Sequence, residues 1–139
     1  MDQGSILQKD IEEAQSLWAE KLIHIGNKWQ QGLDHKTAAR EMVDSCYGYN
    51  HDNRGVLFKP TLAREHPFRP TRDSAISYFI GGDDDFNEDK GFALKPWAAV
   101  SFANQCYYYH GDMAVVMGKC NLTDNKGQVT SVEYTLGYM

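Results

Sequence analysis

The distribution of apolar positions divides the chain into a helical first part and a strand-rich last part. Over residues 5–31, apolar side chains recur every three or four positions, which is the period of one face of an α-helix. The members of this face are Ile11, Ala14, Trp18, Leu22, Ile25 and Trp29. Gly32 follows as a helix-ending residue, so the pattern predicts one long N-terminal helix.

Two shorter helices are predicted after the long one. Asp34 is a suitable N-cap for a helix over residues 37–43, which carries closely spaced apolar positions. Thr71 is a suitable N-cap for a third helix over residues 72–80, and a Gly-Gly pair directly after residue 80 ends it.

The remaining apolar segments have the composition of strands. Residues 56–59 read Val-Leu-Phe-Lys, which predicts a short strand that Pro60 ends. Further along, residues 91–109 predict one long strand or two, and residues 113–122 and 128–139 predict the next ones. In the last of these, alternate positions share one apolar face: Val132, Tyr134, Leu136 and Tyr138.

Helices that precede an antiparallel meander are typical of the α+β class. We therefore predict a single domain over residues 1–139, in which a strongly curved antiparallel sheet wraps on the long N-terminal helix and the two shorter helices. A sheet that curls around a helix forms a cone, and such a cone leaves a pocket at its open end.

Charge and hydropathy limit the partners. The formal net charge is −5, and the sequence has no basic stripe. Both features argue against a nucleic-acid partner and against binding to an anionic membrane surface. No apolar run has the length of a membrane span, and the N-terminus lacks the layout of a secretory signal. We therefore expect a cytoplasmic protein or one from the interior of a plastid or other organelle.

The potential metal ligands do not form a motif. No two of the histidines or cysteines have the spacing of a metal site on one element. These residues are His24, His35, His51, His66, His110, Cys46, Cys106 and Cys120. We predict no metal and no cofactor, and we interpret the cysteines as reduced thiols of the core or of a cavity.

Two hydroxyl-bearing side chains remain as candidates for chemistry. Thr61 follows the predicted strand and its proline, and Tyr78 lies in the third predicted helix. Taken alone, Thr61 is an edge hydroxyl and Tyr78 is a packing tyrosine, and these readings stay open beside a functional one.

Several sequence blocks occur together in an order that resembles one family, the iota-class carbonic anhydrases. The blocks are Tyr47-Gly48-Tyr49, Val56-Leu57-Phe58-Lys59-Pro60-Thr61, Phe68-Arg69-Pro70-Thr71, Ser77-Tyr78-Phe79-Ile80-Gly81-Gly82, Lys90-Gly91-Phe92-Ala93, Pro96-Trp97 and Val132-Glu133-Tyr134-Thr135-Leu136-Gly137-Tyr138. This family is built on the cone-shaped fold of nuclear transport factor 2.

The resemblance implies a site and a reaction. In that family the active site is a pocket inside the cone, and catalysis without a metal is proposed for some members. The resemblance carries the pocket-lining threonine and tyrosine over to Thr61 and Tyr78 as catalytic residues, with carbon dioxide and bicarbonate as substrates. The family's next strand carries a His-His-Ser-Ser motif that also lines the pocket, and residues 1–139 end before it.

Two other functions are compatible with the same fold. One is another lyase or isomerase, which needs an inward-facing acid or base, and Glu133 is the best candidate because it lies in an apolar strand. The other is a non-enzymatic association domain. In every case we expect a homodimer through the sheet, because the run of Tyr107, Tyr108 and Tyr109 must turn at least one ring away from the core.

Overall fold

The computed structural model describes residues 5–50 and 55–139, which form three α-helices followed by three β-strands. The helices are α1 (Gln8–Gln30), α2 (His35–Cys46) and α3 (Arg72–Ile80). The strands are β1 (Trp97–His110), β2 (Met113–Asp124) and β3 (Val129–Tyr138). This order confirms the predicted α+β class.

The helix boundaries follow the local capping signals. The Asp34 carboxylate accepts a hydrogen bond from the Thr37 amide at 3.1 Å, and α2 extends beyond the predicted 37–43 in both directions. The Thr71 hydroxyl accepts from the Ser74 amide at 3.2 Å and begins α3 where predicted. No helix in the described ranges is both long enough and apolar enough to cross a bilayer.

The sheet is antiparallel with the strand order β1-β2-β3. In its register Val116 of β2 lies opposite Tyr107 of β1 and opposite Leu136 of β3. A register shift interrupts β1 between Asn104 and Cys106. Such a bulge increases the local twist of a strand, which supports the curvature of the sheet around α1.

The core lies between the helices and the concave face of the sheet. Leu22 and Ile25 of α1 and Phe79 of α3 pack in one cluster with Cys120 and Leu122 of β2. The alternate residues of β3 also face inward, as predicted: Val132 and Tyr134 join this cluster, whereas Leu136 and Tyr138 pack with Ile11 and Val116 in a second cluster. Trp29, the last member of the predicted helix face, is 47% exposed instead.

The predicted strand at residues 56–59 is wrong. Within the part of the chain that the structure describes, this segment pairs with no strand. Phe58 packs inward against Tyr47 and Phe79, whereas Leu57 is fully exposed. The sequence could not show that no neighbouring strand pairs with this apolar segment.

Candidate active site

A cleft of about 520 Å³ opens beside the C-terminal half of α3. Its walls come from the end of α1, from the turn after Pro60, from the segment that precedes β1, and from β3. The lining residues are Trp29, Leu62, Ala63, Tyr78, Glu88, Asp89, Lys90, Gly91, Phe92, Leu94, Lys95, Trp97 and Thr130. The cleft thus has mainly apolar walls and a few charged groups, as expected of a small-molecule site.

Tyr78 forms part of the cleft wall and is held on several sides. Its ring stacks on Phe92 at a centroid distance of 5.4 Å and meets the Phe58 ring edge-on at 6.1 Å. Only 8% of the residue is exposed, and burial raises the pKa of Tyr78 to about 12. The phenol therefore keeps its proton at neutral pH and can donate a hydrogen bond.

Leu62 lines the same cleft as Tyr78. Its backbone lowers the pKa of Tyr78, but burial has the larger, opposite effect on that pKa.

Thr61 precedes Leu62 in the chain, but it does not line the cleft itself. It is solvent-exposed and sits in the turn in which the Ala63 amide donates to the Pro60 carbonyl at 3.3 Å. The next two residues, Leu62 and Ala63, line the cleft. The structure thus brings the turn that carries Thr61 to Tyr78 and leaves the Thr61 side chain outside the lining set.

Arg69, which no sequence pattern marked as a functional residue, is the largest side chain with no exposed surface among the described residues. Its guanidinium donates to the Asp89 carboxylate at 2.8 and 2.7 Å, to the His66 carbonyl at 2.8 Å and to the Ser74 carbonyl at 2.9 Å. Its carbon Cζ lies 5.8 Å from the centre of the Tyr78 ring. Arg69 therefore ties the turn, α3 and the segment after α3 together behind Tyr78.

Two acidic neighbours complete this support. The Asp89 carboxylate also accepts from the Ser77 hydroxyl at 2.5 Å. The Glu88 carboxylate accepts from the backbone amides of Arg64 and His66 at 2.7 and 2.6 Å. These two hydrogen bonds, that from Arg64 first, lower the pKa of Glu88 to about 2, so the carboxylate is ionised at neutral pH.

The residues proposed for other functions lie elsewhere. Glu133 is exposed on the outer face of the sheet, opposite Lys119, so the prediction that it is an inward-facing acid is wrong. Cys106 is also exposed, against the expectation of a core or cavity thiol, whereas Cys46 is half-buried and Cys120 is buried.

Metal ligands do not converge in the described part of the chain. No three His, Cys, Asp or Glu side chains within residues 5–50 and 55–139 lie close enough together to hold an ion. His51, one of the histidines considered above, falls outside the described residues.

A second cleft of about 480 Å³ lies between α1 and β1. There the side-chain amides of Gln15 and Asn104 exchange two hydrogen bonds of 2.8 Å, and the Tyr134 hydroxyl donates to the Asn104 oxygen at 2.5 Å. These polar groups satisfy one another, and neither Thr61 nor Tyr78 lines this cleft. The cleft beside Tyr78 is therefore the candidate active site.

Comparisons with known proteins identify relatives over most of this chain. The sequence model of the family described as metal-independent carbonic anhydrase matches residues 9–139. A metal-independent carbonic anhydrase from Nostoc sp. is 37% identical over 138 residues, and the alignment covers 97% of this chain and 66% of the relative. The chain thus spans just under two thirds of that relative's length.

A solved structure shows the same fold. It is the iota-carbonic anhydrase from a cyanobacterium in complex with bicarbonate, which superposes with a TM-score of 0.92 at 37% identity. The match covers 98% of this chain and 84% of the cyanobacterial one. It confirms both the predicted fold and the resemblance stated from the sequence blocks. On the extent of the family match and the identity to its members, this chain belongs to the metal-independent carbonic anhydrase family.

Proposed function

We propose that this chain catalyses the reversible hydration of carbon dioxide to bicarbonate in the cleft beside Tyr78, without a metal ion. The observation that carries the proposal is a buried, protonated tyrosine hydroxyl in an apolar cleft of a chain that belongs to this family. The solved structure of the cyanobacterial relative contains bicarbonate, which supports carbon dioxide and bicarbonate as the substrates.

The reaction needs three contributions from the site. A water molecule must attack the carbon atom and lose one proton to the surrounding solvent, while negative charge develops on the substrate oxygens. Tyr78 donates its proton in a hydrogen bond to one of these oxygens and thereby stabilises the developing charge. The Thr61 hydroxyl, at the rim of the same turn, can donate to a second oxygen or accept from the attacking water.

The apolar walls serve the neutral substrate. Carbon dioxide carries no charge, and the rings of Phe92 and Trp97 together with Leu94 offer it a surface that does not compete for hydrogen bonds. Lys95, whose ammonium lies 4.9 Å from the centre of the Trp97 ring, adds a positive charge to the cleft that favours the bicarbonate anion.

Stopped-flow carbon dioxide hydration with a pH indicator, on protein treated with a chelator, tests the proposal. We expect activity to persist after chelation and Tyr78→Phe to lower kcat/KM by about 10- to 100-fold, since it removes one donor to the developing charge. Tyr109→Phe is the matched control, because Tyr109 is exposed and lies outside the cleft. Activity that disappears with chelator and returns with one added metal would overturn the metal-free reaction.

Thr61 needs its own variant. Thr61→Ala is expected to lower kcat/KM by about 10-fold and to leave the stability unchanged, because the side chain is exposed. Thr135→Ala, on the exposed face of β3, is the control. Wild-type rates for Thr61→Ala would remove this residue from the site.

We also propose that the protein forms a homodimer through the outer face of the sheet. Apolar side chains of β1 and β2 lie side by side on that face: Tyr108 pairs with Val115, and Cys106 pairs with Met117. Tyr108 is 66% exposed and Met117 is 48% exposed. A contiguous apolar patch of this kind is typical of an interface, and a second copy of the same strands offers a matching surface.

A further inference from the structure

The backbone of Phe92 is tied to the sheet by Trp97, the first residue of β1. The Trp97 indole nitrogen Nε1 donates to the Phe92 carbonyl at 2.8 Å, and the centres of the two rings lie 5.5 Å apart. Only 6% of Trp97 is exposed, and a hydrogen bond away from water is stronger than one in contact with it. This bond therefore fixes the position of Phe92 relative to β1.

The local structure that carries Phe92 is a single turn. Residues Phe92–Leu94 form a 3₁₀ helix, in which the Leu94 amide donates to the Gly91 carbonyl at 2.9 Å. Gly91 itself has a φ of +87°, which residues with a side chain rarely adopt. Hydrogen bonds within a 3₁₀ helix have poorer geometry than those of an α-helix. The orientation of Phe92 therefore depends on the added hydrogen bond from Trp97.

The Phe92 ring covers one face of Tyr78. The two rings are stacked, with 5.4 Å between their centres and 19° between their planes. Phe58 and Phe79 meet the Tyr78 ring edge-on instead, at 88° and 75°. A ring stacked on the phenol opposes its rotation out of plane, so the position of Phe92 determines how Tyr78 presents its hydroxyl in the cleft.

We propose that Trp97 is a positioning residue of the active site, whose indole N–H holds the Phe92 carbonyl so that the Phe92 ring keeps Tyr78 in place. The N–H group acts through Phe92 and touches no reacting atom. This role differs from the apolar surface that the Trp97 ring offers to carbon dioxide, because it belongs to the N–H group alone. The inference rests on the proposed function for its effect on the rate, but not for the contacts themselves.

Replacement of the N–H group alone tests the role. Benzothienylalanine, a tryptophan analogue with sulfur in place of N–H, keeps the size and the apolar surface of the ring. In place of Trp97, we expect it to lower kcat/KM by about fivefold, the effect of one lost hydrogen bond. The loss should lie in kcat rather than in KM, because the Tyr78 hydroxyl acts on charge that develops in the transition state.

Trp18 provides a matched control. Its indole nitrogen also donates a hydrogen bond, to the Tyr47 hydroxyl at 3.0 Å, but Trp18 does not line the cleft. The same analogue in place of Trp18 should therefore leave kcat/KM at the wild-type value. An equal loss of rate at both positions would show a general effect of a lost indole hydrogen bond and would overturn the positioning role.

A double-variant cycle shows whether Trp97 acts through Phe92. Phe92→Leu removes the stacked ring but retains the carbonyl that Trp97 binds, and we expect it to lower kcat/KM by at least about fivefold. In the Phe92→Leu protein, the analogue in place of Trp97 should then have no further effect. If the two losses multiply instead, the N–H group does not act through the Phe92 ring.

The NMR signals of Tyr78 give a readout that does not depend on activity. With labelled tyrosine rings, the Tyr78 resonances are assigned as those that Tyr78→Phe removes. The ring current of Phe92 shifts them, so Phe92→Leu defines their position in an unstacked ring. We expect the analogue in place of Trp97 to move them toward that position, and the analogue in place of Trp18 to leave them unchanged.

Hydrogen exchange in the wild-type protein decides if thermal unfolding shows that a variant does not fold. The indole N–H of Trp97 should exchange more slowly than that of Trp29, which is 47% exposed, and a nuclear Overhauser effect should connect the Phe92 and Tyr78 rings. Exchange as fast as that of Trp29 overturns the hydrogen bond and with it the proposal.

The outcomes are distinguishable. A wild-type rate with the analogue in place of Trp97, or unshifted Tyr78 resonances, overturns the positioning role. A wild-type protein that does not hydrate carbon dioxide overturns the proposed function instead, and the Tyr78 resonances then decide by themselves whether Trp97 holds Phe92 against Tyr78.

Discussion

The guanidinium of Arg69, which has no exposed surface, forms a two-point ion pair with the Asp89 carboxylate directly behind Tyr78. Two buried charges remain stable together only because each satisfies the other and the remaining donors find carbonyl oxygens. Arg69 does so at the His66 and Ser74 carbonyls. This cluster gives the site a rigid base, because it joins α3 to the segments on both sides of that helix.

Asp89→Asn should therefore destabilise the protein strongly. The substitution keeps the shape of the side chain but leaves the buried Arg69 charge with the more distant Glu88 carboxylate, 3.8 Å away, as its counter-charge. We expect a loss of about 3–5 kcal/mol in the free energy of unfolding, measured by urea denaturation at neutral pH.

The chain also contains a matched exposed pair. Arg72 and Asp44 meet at 2.6 Å, but their side chains are 33% and 38% exposed. Asp44→Asn should cost less than about 1 kcal/mol, because water screens the pair. Equal losses in Asp89→Asn and Asp44→Asn would show that burial does not strengthen the Arg69 pair.

Local signals explain what the sequence predicted well. The third helix begins after Thr71 because its hydroxyl serves a free amide within three residues, and this information is contained in the segment itself. The face of β3 was likewise predicted from alternation alone, since alternate side chains of a strand share one side.

Long-range contacts explain what the sequence did not predict. Arg69 finds Asp89 twenty residues away, and no periodicity reports that an arginine will be buried. The strand predicted over residues 56–59 failed for the same reason, because a strand also needs a partner. Tyr78 became a candidate through the family blocks, whereas Glu88 and Asp89 carried no comparable signal.

Gly118, which pairs with Asn104 beside the bulge in β1, has no room for a side chain. A Cβ atom there would lie 2.2 Å from the Ala103 carbonyl oxygen and 2.6 Å from the Tyr134 hydroxyl oxygen. We expect Gly118→Ala to lower the free energy of unfolding by about 1–3 kcal/mol, as overpacking does. Gly137→Ala is the control, since a Cβ at Gly137 meets no atom within 4 Å. A Gly118→Ala protein as stable as Gly137→Ala would contradict the close packing described here.

Alkaline conditions should destabilise the fold through its buried tyrosines. Burial raises the pKa of Tyr78 and that of Tyr138 to about 12, whereas an unfolded tyrosine has a pKa of about 10. Between these values the unfolded chain releases protons that the folded chain retains, so stability is complete below about pH 10 and falls as the pH rises toward 12.

Urea midpoints from about pH 9 to about pH 11.5 measure this effect. Tyr78→Phe should make the loss of stability with pH less steep, because it removes one of the groups whose pKa differs between the folded and unfolded states. Tyr108→Phe should leave the slope unchanged, since the Tyr108 ring is largely exposed. A midpoint that stays constant over this range would mean that these tyrosines titrate alike in both states.

The outer face of the sheet provides the last test. If the patch around Tyr108, Val115 and Met117 is the dimer interface, Tyr108→Glu places a charge where two copies meet, and burial of an unpaired charge opposes association. We expect sedimentation equilibrium to show a dimer for the wild type and a monomer for Tyr108→Glu, with the dissociation constant raised by at least about 100-fold. Lys36→Glu is the control: it changes the net charge by more than Tyr108→Glu does, but Lys36 lies on the exposed side of α2, so the dimer should remain intact. Tyr108 lies on the convex side of the sheet and does not line the Tyr78 cleft. The monomeric variant should therefore bind bicarbonate with the same affinity as the wild type. This result would show that dimer formation and substrate binding are independent.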